Sequence, residues 1–373
     1  MPRVIPQGAT LYLCPRGLLS GAEAGHAVET GRAVPLAGGP RAFTAIDLLW
    51  RTEPGPRKSQ SFSLEDFRNW LASLDHDTQG VVERQLSRLR DACPLLSRIN
   101  PASHARPLVM GILNATPDSF SDGGRYNDPA RAIAYGEALV AQGADILDVG
   151  GESTRPGATP IGVGQECDRV LPVIEGLKGA GVPISIDTRH AEVMRAALSA
   201  GARIINDVTA LEGDAGSMAV AIATGAPVAL MHMQGKPGTM QDDPRYDDVV
   251  MDVLDYLAGR ITACEAAGIP RSSLMVDPGI GFGKTSAHCL DLMENLAAFH
   301  SLGVPILLGV SRKRFIGAVD RKARVTDRVG GSLAGALAGT ARGAQIIRVH
   351  DVKETAQAVA VTAAIDRGDL GDN

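Results

Sequence analysis

At 373 residues the chain is too long for one ordinary domain and fits one large domain with a small one before it. Its 45% apolar and 21% charged residues belong to a folded globular protein, and a net charge of −5 excludes a general nucleic-acid binder. The five cysteines are scattered, the start carries no basic-then-apolar leader, and no stretch reaches the ~18 apolar residues of a membrane span. A cytoplasmic protein in a reducing compartment is therefore expected, with no nucleic-acid or membrane partner and no structural zinc.

Residues 1–98 predict a small α+β domain. AFTAIDLLW, 42–50, reads as a strand, and the segments at 63–74 and 79–96 read as amphipathic helical stretches. Ser63 with Asp66 resembles a capping box. No catalytic constellation appears here, and a packing or assembly role is the expectation. Residues 99–106 read as a linker, with residues 107–373 as the large domain.

A new grammar begins at LVMGILN, 108–114. From Gly143 onward, a helical segment repeatedly ends in Gly and a β-rich apolar run follows. The joints stand at Gly143, Gly181, Gly201, Gly225, Gly268, Gly303 and Gly343. Gly accepts the left-handed conformation that stops a helix. The runs are continuous, not alternating, as in parallel strands buried on both faces. Eight strands with intervening helices over about 260 residues match an eightfold (β/α)8 TIM barrel, which typically takes about 250. An open doubly wound sheet would gather its ligand residues at one switch point. Here polar residues follow nearly every strand, and only a closed ring brings eight strand ends to one mouth.

The strand-end residues divide by chemistry. Asp187, Asn206 and Asp277 offer two carboxylates and an amide, which suit a flat heterocycle rich in N–H donors. S-R-K at 311–313 and R-V-H at 348–350 supply local cations, with Arg348 and His350 on one strand face. Together with Thr154, Arg155 and Asn114 they make an anion site able to hold phosphates. Any one of these residues alone would read as a loop cap or a solvated charge. The stretch GILNATPDSFSDGG, 111–124, ends a core strand in Asn and Asp oxygens that suit a hard cation such as Mg2+. Its Pro117, Gly123 and Gly124 predict a mobile lid. The glycines of D-P-G-I-G-F-G-K, 277–284, lack the spacing of a phosphate-binding P-loop.

LVMGILNATPDSFSDGG, GADILDVGGESTRPG, SIDT, IND, DPGIGFGK, SRK and RVH appear in an order that resembles the dihydropteroate synthase family of the folate pathway. The resemblance spans roughly residues 107–368. It implies transfer of a dihydropterin from its pyrophosphate ester to p-aminobenzoate, with Mg2+ as cofactor. It also implies a pterin site of Asp187, Asn206, Asp277, Lys313, Arg348 and Met231, and a pyrophosphate site of Thr154, Arg348, His350 and Asn114. Asn114 would be the metal ligand. Phe120, Arg155, Pro156, Phe282 and Lys313 would border p-aminobenzoate, the site that sulfonamides mimic. Lys313, Arg348, His350 and Asp122 are the candidate catalytic residues. Ile280 stands where the family often has Phe, which keeps an apolar residue. The small-residue segment 329–344 lies on the side that the family's dimer uses, so a homodimer is expected. A pterin-binding methyltransferase domain or a silent pterin-binding scaffold is the alternative, and both leave the cationic residues without a task.

Overall fold

The computed structural model describes residues 8–100, 106–116, 128–152, 161–235, 238–321 and 323–368. Within residues 8–100 the chain builds a four-stranded antiparallel sheet. Its central strand β3 (Ala42–Arg51) pairs with β1 (Thr10–Leu19) along one edge, and with β2 (Val34–Pro35) and β4 (Lys58–Ser63) along the other. Helix α1 (Gly21–Glu29) follows β1, and helices α2 (Leu64–Leu71) and α3 (His76–Arg90) follow β4. Ser63 caps α2, its hydroxyl accepting the Asp66 amide proton at 3.0 Å.

Both faces of this sheet are buried, against different partners. Leu11, Leu13, Leu48 and Trp50 pack with Phe67, Trp70, Val82 and Leu89 of α2 and α3. The alternate residues Tyr12, Cys14 and Leu49 join the core of the large domain. The extension therefore shares a core with the barrel.

The segment 79–96 does not form one continuous helical stretch. Pro94, which has no N–H to continue a helix, opens a separate helix α4 (Pro94–Ile99) after α3 has ended. Leu95 of α4 packs not with the extension but into the floor of the barrel, against Leu108, Met110 and Ile146.

The barrel strands are β5 (Leu108–Asn114), β6 (Ile146–Gly150), β7 (Ile184–Asp187), β8 (Ile204–Asp207), β9 (Val228–Met231), β10 (Leu274–Asp277), β11 (Leu307–Leu308) and β12 (Ile346–Val349). All eight are parallel, in the order β10-β9-β8-β7-β6-β5-β12-β11, and a bridge from Val276 to Ile306 closes the ring. Helices α5 (Pro129–Ala141), α6 (Val163–Leu177), α7 (Ala191–Ala200), α8 (Ser217–Thr224), α9 (Val249–Ala266), α10 (Ser286–Glu294), α11 (Arg314–Val319), α12 (Val329–Ala341) and α13 (Val352–Arg367) surround it. All seven glycines of the repeating joint have positive φ, from 63° at Gly225 to 136° at Gly201. An L side chain there would be strained, which is why glycine recurs.

The apolar runs hide a period of two. Val109, Leu147, Val149, Ile186, Ile205, Val228 and Leu230 face the helices. Leu108, Met110, Ile146, Ile204, Met275, Leu307 and Ile346 fill the inside. Continuing the inward set toward the strand ends gives Asn114, Asp148, Asp187, Asn206, Asp277 and Arg348. The same faces are oily at the floor and polar at the mouth. Among the described residues no helix is long and apolar enough to cross a membrane.

Candidate active site

Arg348 organises one side of the mouth. Its Nε donates to Asp148 Oδ2 at 2.6 Å, and its Nη2 donates to Asp187 Oδ2 at 2.6 Å. Asn206 Nδ2 donates to the same Asp148 oxygen at 3.1 Å. Asp148 is fully buried, and its Oδ1 has no partner among the described residues. Burial alone would lower the Arg348 pKa, but Asp148 and Asp187 reverse that and hold the guanidinium charged. Burial raises the Asp187 carboxyl, with Arg348 opposing and Asp148 adding to the rise. Two acids and an amide on three neighbouring strands are thus held in fixed orientation by one cation.

Lys313 and Asp277 form the other side. Asp277 ends β10, and its Oδ1 accepts the Gly279 amide proton at 2.7 Å. Burial raises its pKa, against the pull of that amide and of Lys313. Lys313 is pushed down to about 8 by burial, with Asp277 as the main opposing charge. Its Nζ stands 4.0 Å from the centre of the Phe282 ring, a geometry worth up to about 2 kcal/mol where water is excluded.

The turn before Lys313 is tightly held. Arg312 has φ +57°, an uncommon conformation for a non-glycine residue. Ser332 Oγ accepts the Arg312 amide at 2.8 Å, Asp351 pairs with its guanidinium, and Arg328 donates to the Arg312 carbonyl at 3.2 Å. Ser311 Oγ accepts the His350 amide at 3.2 Å, tying the end of β12 to the same turn.

Phe282 rides on a glycine loop wrapped around a buried amine. Lys284 Nζ lies 2.8 Å from His232 Nδ1 and donates to the carbonyls of Phe282 at 3.0 Å and His232 at 3.3 Å. Burial pushes Lys284 down to about 7 and His232 down to about 2, so His232 is a neutral acceptor. A Cβ at Gly279, where φ is +66°, would lie 1.9 Å from the His232 carbonyl oxygen. Glycine is required there because two backbones touch. The loop turns its carbonyls inward to the Lys284 Nζ, which fits its poor match to a phosphate loop.

The structure brings Asp187, Asn206, Asp277, Lys313, Arg348, Met231 and Phe282 to the mouth. Met231 ends β9 level with Asp277 and is buried. Asn114 ends β5 level with Gly150, which is itself level with Asp187. His350 follows β12, half-buried. Phe120, Asp122, Thr154, Arg155 and Pro156 lie outside the described residues. Sequence reasoning missed Asp148 and Lys284. The signal for Asp148 was a carboxylate inside the apolar run ILDVG, two residues below the strand end and so on the inward face. The described residues hold no group of three His, Cys, Asp or Glu that could cage a metal ion. Asn114, a neutral oxygen donor at the mouth, fits a hard cation whose remaining ligands are phosphate oxygens and water.

A family profile described as "Pterin binding enzyme" matches residues 110–350, from inside β5 to just past β12. The chain belongs to the pterin binding enzyme family, on its dihydropteroate synthase branch. It is 48% identical to the dihydropteroate synthase of Escherichia coli strain K12 over 261 residues, 70% of this chain and 92% of that one. A solved structure of Xanthomonas albilineans dihydropteroate synthase with 4-aminobenzoic acid is 49% identical, with a TM-score of 0.66 over 70% of this chain and 93% of that one. The Yersinia pestis dihydropteroate synthase in a sulfonamide drug complex is 45% identical, with a TM-score of 0.67 over 70% of this chain and 94% of that one. In this pterin binding enzyme the family match stops at the barrel, and the extension adds the Tyr12, Cys14 and Leu49 contacts to its core.

Proposed function

We infer that the barrel joins p-aminobenzoate to 6-hydroxymethyl-7,8-dihydropterin pyrophosphate, releasing pyrophosphate and forming 7,8-dihydropteroate. The observation that carries this reading is the convergence of Asp148, Asp187, Asn206 and Asp277 with Lys313 and Arg348 on one barrel interior. Carboxylates and an amide at fixed spacing accept the N–H edge of the pterin, Arg348 stacks beside its ring, and Met231 lines the pocket. Lys313 bridges the two substrates, set between Asp277 and the Phe282 ring that borders p-aminobenzoate.

The chain's own residues supply electrostatics and alignment and no covalent nucleophile. The exocyclic C–O bond of the pterin ester breaks first, and its electron pair leaves with pyrophosphate. Lys313, Arg348 and His350 offset the charge of the departing anion. The amine nitrogen of p-aminobenzoate then forms the C–N bond and releases a proton. Mg2+ held by Asn114 and the diphosphate oxygens would supply further charge neutralisation. Thr154 for the pyrophosphate, Phe120, Arg155 and Pro156 for p-aminobenzoate, and Asp122 as a catalytic residue complete the site in this reading.

The experiment is a turnover assay with both substrates, reading dihydropteroate by mass, with and without Mg2+. Product formed only with the cation is expected; absence of dihydropteroate under every condition sinks the proposal. A sulfonamide is expected to compete with p-aminobenzoate and not with the pterin ester. A methyltransferase domain has no use for the Lys313 and His350 pair, which favours the synthase. We also propose a cytoplasmic homodimer. Its face would include α12, where Gly330 and Ala334 are exposed, and light scattering tests it.

A further inference from the structure

The extension lies outside the family match, yet one of its side chains ties together the elements that hold the p-aminobenzoate side of the mouth. Arg57, in the turn between β3 and β4, reaches across to the barrel. Its backbone N–H donates to Asp248 Oδ2 at 2.9 Å, and its Nη1 donates to both Asp248 oxygens, at 2.8 and 2.9 Å. The same guanidinium donates to Asp291 of α10, at 2.7 Å from Nη2 and 3.1 Å from Nη1. Asp248 is the cap of α9, accepting the amides of Val250 and Met251 at 3.1 and 3.0 Å. One extension residue thus clamps the start of α9 to α10.

The loop leading into that cap is what grips the glycine loop of the site. Two residues before Asp248, the Tyr246 hydroxyl donates to the Gly283 carbonyl at 2.7 Å. Its ring meets His288 of α10 edge-on, with centroids 5.0 Å apart. Gln241 Nε2, earlier in the loop, donates to the Gly281 carbonyl. Gly281 and Gly283 flank Phe282, whose ring faces Lys313. The backbone on both sides of Phe282 is therefore held by a loop whose far end is fixed by Arg57.

We propose that the amino-terminal extension is a working part of the active site, with Arg57 as a positioning residue that sets Phe282 through Asp248 and Tyr246. This deepens the functional reading above and rests on it. The Arg57 pairs are partly exposed and add little to stability, whereas a small misplacement of a substrate-facing group is costly in rate. The contact weighs more on p-aminobenzoate than on the pterin ester: the loop carries Phe282 itself and meets the pterin site through the Gly279 amide on Asp277, whereas Asp187, Asn206 and Arg348 lie on the strands β7, β8 and β12.

The test uses the full chain with Arg57→Met, Tyr246→Phe, the double variant and Arg41→Met. Arg41 pairs with Asp366 at the far seam, at 3.5 Å, and serves as a control for extension packing. Arg57→Met is expected to raise KM for p-aminobenzoate roughly tenfold, while KM for the pterin ester moves less than about twofold. The double variant is expected to be no worse than the worse single variant, because both cut one path. Arg41→Met is expected to lower Tm with neither KM altered. If Arg57→Met loses only Tm, or raises both KM values alike, the proposal is overturned and the extension is packing alone. Should that variant not fold, Arg57→Lys is read instead; an intermediate KM is expected and a wild-type KM overturns the idea. A wild type without turnover refutes the reaction and not the coupling. The coupling is then read by amide exchange at residues 279–284, which Arg57→Met should quicken relative to Arg41→Met. Equal exchange in the two would overturn it.

Discussion

Lys313 must carry a proton to offset the departing pyrophosphate, and its burial makes that proton easy to lose. The amine is pushed down to about 8 from an ordinary 10.5 by removal from water, with Asp277 holding it up. For a group needed in its charged form, each pH unit above its pKa removes about tenfold in the competent fraction, equivalent to about 1.4 kcal/mol. The kcat/KM of the wild type should therefore fall on an alkaline limb centred near 8, reaching about one tenth by pH 9. Two variants identify the group. Lys313→Arg carries a permanent charge and should lose the limb whatever its absolute rate, because only the shape of the profile is read. Asp277→Asn removes the charge that supports the ammonium, so the limb should move to lower pH. Alkaline unfolding would mimic a falling rate, but the sign differs. The folded pKa of Lys313 lies below the unfolded one, so between about 8 and 10.5 the unfolded chain binds more protons and this group adds stability as pH rises. This group therefore cannot itself cause an alkaline loss of Tm, and the limb is read only over the pH range in which Tm holds. A profile flat to pH 10, or a limb that persists in Lys313→Arg, would refute the assignment.

Arg348→Ala should cut turnover by roughly 10²–10³. It leaves Asp148 and Asp187 facing each other without their shared partner, a loss of about 3–5 kcal/mol for a broken buried pair, so its Tm should fall as well; near-wild-type turnover contradicts its role. Asp277→Asn should weaken binding of the pterin ester, because a bidentate acceptor is lost, and an unchanged dissociation constant by titration calorimetry contradicts the pterin contact. Gly279→Ala places a methyl group against the His232 carbonyl at a positive φ. It should lower the unfolding free energy read from urea titration by more than about 1 kcal/mol, and a wild-type value would show that the β9 and β10 loops can part without cost.

The barrel was legible because its punctuation is local. Each of the seven glycine joints states its own reason in a few residues: a helix stops, φ turns positive, an apolar run begins. Asp187, Asn206 and Asp277 were legible for the same cause, since each ends such a run. Asp148 was not. It lies two residues below the end of β6, in a run that reads as core from either side, and its meaning comes from Arg348, 200 positions later in the chain. That meeting requires the ring to close with β12 beside β5, a fact of topology and not of either segment. Lys284 was hidden in the opposite way: its motif invited a phosphate reading, while the acceptors that neutralise its burial are the loop's own carbonyls and a histidine 52 positions earlier.

The extension marks where local reading ends. TLYLC in β1 was passed over as a strand because alternate residues bury against two different bodies, which erases the alternation that a one-sided sheet shows. Arg57 carries no mark at all in the sequence, since a lone arginine in a polar turn is ordinarily a solvated charge. Its partners Asp248 and Asp291 lie 191 and 234 positions away. Physical necessity runs backward here: two carboxylates at the start of α9 and on α10 repel each other and favour a planar, permanently charged fork between them, which only Arg supplies in that geometry. A barrel of this family that lacked the extension would have to satisfy those two positions by another means. The pair of acids is therefore the sequence feature by which a docked extension of this kind should be recognisable in other chains.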